Sequence, residues 1–219
     1  MNALSQEFEL TVEGRQIEEA VASVLHTLLL HRAIGKFHYK EEKSYQVGTL
    51  GTEDVDCDYI DLTYVRLSSD ELANCLRREV ISFRDALRQQ EGQRNGQIQI
   101  EFFEKRRRNW FGDEAVPWEI WILKLDVVRL NNESEHQRLR ETVGDALSDI
   151  IFSICRNVNA NQYLPKMPVQ SELTNVFDSR FSDVQPYLHR IQYKVNGPTT
   201  GSASISSTMQ KLIRGTLSL

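Results

Sequence analysis

Apolar and polar residues alternate through Phe8, Leu10 and Val12, the period of two expected of a half-buried strand, and Gly14 breaks the run. The period then changes. Ile17, Ala20, Val21, Val24, Leu25, Leu28 and Leu29 recur at three and four, which predicts a helix with one apolar stripe, ended by Gly35. Phe37 to Leu67 reads as strands interrupted by Gly48 and Gly51, the last of them Tyr59 to Leu67. Ser68 with Glu71 has the spacing of a capping box, and Leu72, Cys75, Leu76, Val80, Phe83 and Leu87 form the inner face of a second helix.

Ile98, Ile100 and Phe102 alternate again, and Trp118 to Leu130 supplies a longer strand apolar on both faces, so the two read as a long hairpin. Asn132 and Glu135 open a third helix. Its stripe, Leu139, Val143, Ala146, Leu147, Ile150, Ile151, Ile154 and Val158, is wide enough for a central element lying across a sheet. Asn159 to Gln185 has little periodicity and holds Pro165 and Pro168, as a wrapping or functional segment would. Pro186 leads into a strand through Tyr187, His189, Ile191, Tyr193 and Val195. Asn196-Gly197-Pro198 turns it, Ser202 to Ser207 reads as a returning strand, and Met209, Leu212 and Ile213 as a short terminal helix. Three helices among antiparallel strands and hairpins, without repeating strand-helix-strand units, predict an α+β domain with helices on one face of a sheet.

Composition narrows the function classes. A chain of 219 residues, 40% apolar and 26% charged, suits one domain spanning 1–219. A formal charge of -5 argues against a general nucleic-acid or membrane-surface binder, which needs a basic face. Cys57, Cys75 and Cys155 are odd in number and lack Cys-x-x-Cys spacing, which fits a reducing compartment and small core residues. The first residues have neither signal-peptide nor transit-peptide character, and the longest apolar stretch, Ala20 to Leu30, is too short to span a bilayer. A cytosolic protein is expected. Asn132-Glu133-Ser134 matches a glycosylation acceptor, but without a secretory signal it reads as a helix cap.

Candidate chemistry is sparse. Glu53, Asp54, Asp56, Asp58 and Asp61 suggest calcium, yet counting from Asp54 puts Tyr59 where the tight turn needs glycine and Val65 where a bidentate Glu belongs. The carboxylates read instead as an acidic turn displayed to solvent. His26, His31 and His38 with Cys57 lack zinc-ligand spacing; His26 fits the edge of the apolar stripe with its ring hydrogen-bonded, and His31 the helix C-terminus, where positive charge is favoured. There is no Gly-x-Ser-x-Gly elbow and no phosphate-cradling glycine loop, so no catalytic, cofactor-binding or metal residue is nominated.

The strongest signal is Trp110-Phe111, set in the charged, glycine-containing turn Arg106 to Glu114 between the hairpin strands. Two large aromatics at such a place either fold back on the core or stay exposed to anchor another surface. Charges on both sides and Gly112 favour exposure. Lys105 to Arg108 beside them allows an alternative, a nucleic-acid module using 105–111, in which bases stack on the rings.

Several longer blocks are chemically unusual: Val12-Glu13-Gly14-Arg15-Gln16, Gly35-Lys36-Phe37-His38-Tyr39-Lys40, Val55-Asp56-Cys57-Asp58, Thr63-Tyr64-Val65-Arg66, Tyr163-Leu164-Pro165-Lys166-Met167-Pro168 and Val184-Gln185-Pro186-Tyr187. Through them almost the whole chain resembles the autophagy-related protein 101 family of HORMA-domain proteins. The resemblance implies a HORMA fold, with three helices on a mainly antiparallel sheet, a protruding hairpin loop and a belt-like C-terminal region, 159–219. It implies a non-catalytic, cofactor-free adaptor of autophagy initiation that pairs with and stabilises the HORMA domain of autophagy-related protein 13. The implied setting is the Unc-51-like kinase complex, in the cytoplasm and at the phagophore assembly site on autophagy induction. It also implies that Trp110 and Phe111 form a finger recruiting downstream factors. The family's finger commonly has proline between its aromatics; this chain has none.

Overall fold

A computed structural model describes residues 3–41, 44–90, 94–108, 112–160 and 163–195. Its strands are β1 (Leu4–Glu13), β2 (Ala33–Gly35), β3 (Phe37–Glu41), β4 (Ser44–Val47), β5 (Thr52–Asp56), β6 (Thr63–Leu67), β7 (Arg94–Arg108), β8 (Gly112–Val128), β9 (Val184–Pro186) and β10 (His189–Val195). Its helices are α1 (Ile17–His31), α2 (Asp70–Arg88) and α3 (Glu133–Asn159), with a 3-10 turn at Gln170–Asn175. The α+β expectation holds. The terminal strand and helix expected within 202–213 lie outside the described residues.

The main sheet has the order β1-β8-β7-β10. Pairing is antiparallel except for β1 and β8, which run parallel from Leu4↔Glu119 to Glu13↔Val128. That parallel pair lies outside the hairpin reading, because its partners are more than 100 residues apart and alternation carries no direction. Three two-stranded ribbons, β2-β9, β3-β4 and β5-β6, complete the strands.

The helix at the centre is α1, not α3. Residues Ser23 to Leu29 of α1 are buried without interruption, and α1 meets α2, α3, β1 and β6. Its polar residues lie inside because each has a local solution: Ser23 Oγ donates to Ala20 O (3.0 Å), Thr27 Oγ1 to Ser23 O (2.7 Å), and the His26 ring stacks on Tyr64 at 6.0 Å. Backbone-directed hydroxyls let a helix be buried on sides that a hydropathy stripe marks as polar. α3 instead buries one stripe, Val143, Gly144, Leu147, Ile150, Ile154 and Val158, and leaves its opposite face in water.

His26 carries a pH prediction. Burial, and after it the Arg66 guanidinium, hold its imidazole down at about 4. The folded value lies below the unfolded one, so the stability it supports is complete above about pH 6.5 and falls as pH drops toward 4, by about 3 kcal/mol at the limit. Urea unfolding between pH 7 and pH 4 is expected to show that loss, and His26→Phe is expected to flatten it.

Local corrections have local causes. α1 stops at His31 rather than Gly35, because Ala33–Gly35 leaves to pair with β9. The cap of α2 is Ser69, whose hydroxyl accepts from Leu72 N, not Ser68; Glu71 instead holds Ser182 through N (2.9 Å) and Oγ (3.0 Å). Asn132 caps α3 as read, accepting from Glu135 N at 2.9 Å. The expected strand from Tyr59 is shorter, beginning at Thr63, because Glu19 accepts from Asp58 N and Tyr59 N and pins that turn against the start of α1.

The aperiodic stretch after α3 is anchored to the body. Val176, Phe177 and Phe181 are buried; Ser69 Oγ donates to Asp183 (2.9 Å), Lys36 Nζ to Ser179 O (3.2 Å) and Phe37 N to Gln185 Oε1 (3.2 Å). Side-chain and backbone bonds replace a helix or sheet here, so no period marks the segment.

Candidate docking site

Strands β7 and β8 stay paired from Arg94↔Val127 to Arg108↔Gly112, but their neighbours end sooner. β10 stops at His189↔Phe102 and β1 at Leu4↔Glu119. From Phe103↔Pro117 onward a two-stranded ribbon therefore leaves the sheet unflanked, and its six pairs extend it by roughly 20 Å. The three residues that join its strands are Asn109, Trp110 and Phe111. These, including both predicted site residues, lie outside the described residues.

The turn is tighter than the sequence reading. Arg106 to Arg108 and Gly112 to Glu114 belong to the strands, with Arg106 opposite Glu114 and Arg107 opposite Asp113. Backbone pairing thus continues through a charged stretch that composition marks as loop. Glu104 and Glu114 place acids beside the basic run, and Arg106 bonds Glu104 Oε1 through Nε at 2.6 Å. Both effects weaken the field that a phosphate backbone would require.

The root of the ribbon is well built. Trp118 contacts the Phe102 ring at 5.7 Å, meets Tyr187 edge-on at 5.5 Å and lies under the Arg32 guanidinium at 5.7 Å. Next to it Glu119 is buried with Arg32, which donates from Nη2 (2.7 Å) and Nε (3.0 Å) to Glu119 Oε2, while Trp121 Nε1 donates to Glu119 Oε1. Arg32 Nη2 also reaches Val158 O near the end of α3 (3.4 Å). Pattern reading missed this pair. A lone Glu in an apolar strand and an Arg just past a helix are signals only once folding brings them together.

A second apolar surface also escaped the sequence reading. Of the ten large hydrophobics that the described residues expose, four fall within 163–169: Tyr163, Leu164, Met167 and Val169. Pro165 is buried and Pro168 half-buried, so both prolines face inward at a spacing of three. Proline restricts the residue before it to extended backbone, and Leu164 and Met167, the residues before the two prolines, are both exposed. Tyr163 fastens this ridge to the ribbon, its hydroxyl donating to Glu104 Oε1 at 3.1 Å.

The metal candidates are not brought together. Glu53 pairs with Arg66 (2.7 Å), Asp56 Oδ1 accepts from Thr63 Oγ1 (2.6 Å), and Glu53, Asp54 and Asp56 face solvent along β5. His26 lies in the core. His31 faces Cys155 Sγ at 3.3 Å, and burial followed by Arg32 lowers its pKa, against the cationic reading at the helix end. Burial and neighbouring carboxylates push the Cys57 thiol up to about 12. Among the described residues no three His, Cys, Asp or Glu side chains converge for a metal, and no helix is long and apolar enough to cross a membrane.

Residues 9–171 match the profile of a family described as autophagy-related protein 101. The chain belongs to the autophagy-related protein 101 family. It is 51% identical to autophagy-related protein 101 of Homo sapiens and 50% identical to that of Xenopus tropicalis, in each case over 100% of both chains. Autophagy-related protein 101 of Arabidopsis thaliana is 25% identical over 172 residues, 69% of this chain and 74% of that one.

Proposed function

We propose that this chain is a non-catalytic adaptor of autophagy initiation that offers Trp110 and Phe111 to a second protein from the end of the β7-β8 ribbon. One observation carries the reading: a ribbon without flanking strands among the described residues, in a chain of this family, whose three joining residues include two large aromatics. A turn that serves only to reverse the chain needs small or polar residues, whereas Trp and Phe supply most of the energy at docking points.

In the same reading the fold is a HORMA domain, 1–219, with a belt-like region from 159. Helices packed on a mainly antiparallel sheet, and a C-terminal stretch wrapped over β2 and β3, support it. The chain pairs with and stabilises the HORMA domain of autophagy-related protein 13 within the Unc-51-like kinase complex, in the cytoplasm and at the phagophore assembly site. No cofactor enters this role. No proline separates Trp110 from Phe111, where the family's finger commonly has one.

The test is Trp110→Ala combined with Phe111→Ala. Recruitment of downstream autophagy factors is expected to fall at least about 30-fold, as loss of hot-spot residues does. Affinity for the partner HORMA domain is expected to stay within about twofold and the melting temperature within about 2 °C of the unsubstituted protein, as for substitutions away from a core. A collapse in melting temperature would show that the rings are core residues and end the docking reading.

A further inference from the structure

The ribbon is useful as a docking element only if its direction is fixed, and its direction is first set where it leaves the sheet. Between Phe102 and Phe103 the β7-β8 register slips, a bulge that bends and twists a strand pair. Beyond it no third strand joins the pair among the described residues, Tyr163 touching it through its hydroxyl at Glu104 and Arg106, and a two-stranded ribbon with so little support is marginal in water. A change of roughly 10° at the bulge would move the end of a 20 Å ribbon by about 3 Å. Whatever grips the bulge therefore aims the end.

Residues 187–190 grip it from both strands. Leu188 O accepts from Phe103 N at 3.0 Å, so the first amide past the bulge bonds outside the β10 ladder. The Arg190 guanidinium lies over the Phe103 ring at 5.6 Å, and its Nη2 is 2.5 Å from Glu101 Oε1, one residue before Phe102. On the other strand, Tyr187 braces Trp118. This short segment is itself held by the body of the fold: Tyr187 N donates to Arg32 O (2.9 Å), Leu188 N to Val176 O (2.9 Å) and Asp178 N to Pro186 O (2.8 Å).

We propose that Tyr187-Leu188-His189-Arg190 is a clamp that fixes the bulge at Phe102/Phe103, so that presentation of the ribbon end depends on the seating of the C-terminal segment. The functional half of this inference rests on the docking reading above. Its structural half does not. The Glu101-Arg190 pair suits the task because Glu101 is 6% exposed, and a buried carboxylate beside one guanidinium has little freedom to re-form its contact elsewhere.

Amide hydrogen exchange on the full chain tests the clamp without any partner. In Arg190→Ala, peptides covering 103–108 and 112–117 are expected to exchange at least about tenfold faster, while α1 and residues 121–127 stay within about twofold, as local opening of one unit requires. Glu101→Gln keeps the shape and removes the charge; it is expected to move the same peptides in the same direction, and it serves if Arg190→Ala fails to fold. Ribbon exchange unchanged in the folded variants, or raised equally throughout the molecule, overturns the clamp. Failure of the docking reading is separate: a ribbon that loosens in these variants, with recruitment indifferent to Trp110→Ala and Phe111→Ala, retains the clamp and removes the docking role.

Discussion

Glu119→Leu is expected to lower the melting temperature by roughly 6–20 °C, the equivalent of about 3–5 kcal/mol. Its carboxylate is 1% exposed and meets three donors, Arg32 Nε, Arg32 Nη2 and Trp121 Nε1. Leucine fills most of the volume but leaves the Arg32 guanidinium, 4% exposed at its side chain, with a full charge and only two carbonyls and the Trp118 ring as partners. The large cost is that of an orphaned ion, not of a lost attraction. Arg32→Met combined with Glu119→Leu is therefore expected to recover most of the stability, since apolar replacement of a whole buried pair is often neutral. Thermal unfolding of the two single variants and the double variant measures this directly. A single variant that costs under about 1 kcal/mol would mean that water reaches the pair, contrary to its burial.

Gly35→Ala is expected to have an effect of similar size for a steric reason. A Cβ at that position would lie 1.8 Å from Gly48 O and 2.3 Å from Gly48 C, both backbone atoms that cannot rotate away. Gly48 N also donates to Lys36 O at 2.8 Å, so the two chain segments are bonded where they touch. Relief requires β2 to move, and β2 carries the register Ala33↔Pro186 to Gly35↔Val184 that seats the C-terminal segment. A loss of at least about 3 kcal/mol is expected in urea unfolding, at the upper end of overpacking costs. Exchange should rise first in 184–190, next to the strand that shifts. Gly144→Ala offers a comparison, because its Cβ would meet Asp61 O at 2.4 Å and press α3 against the 57–62 turn instead.

Legibility differed by element for identifiable reasons. β1, α2 and the inner face of β7 were plain because one side is wet and the other dry, so period alone marks the buried residues: Leu10 and Val12, Leu72 and Leu76, Ile98 and Ile100. α1 was readable as a helix but not as the central one, since Ser23 and Thr27 satisfy their hydroxyls on their own backbone and leave no trace in the stripe. Ser68 was read as the cap where Ser69 serves, a one-residue difference that turns on backbone angles, extended at Ser69, rather than on composition. Arg106 to Arg108 looked like loop because charge and glycine mark turns, whereas the backbone pairing with Gly112 to Glu114 runs through them and is set by the register of the whole hairpin.

Sequence by itself determined the mixed α+β class, the three long helices, the long hairpin and the Trp110-Phe111 pair, because periodicity and residue type are properties of short windows. It also carried the family resemblance, which needs no coordinates. Only the tertiary structure decided the parallel β1-β8 pairing, the burial of Arg32 with Glu119, the point where the ribbon loses its flanking strands, and the grip of residues 187–190 on the bulge. Each joins residues far apart in the chain, and the contacts exist only after loop closure; nothing in a local window encodes which distant partner will arrive.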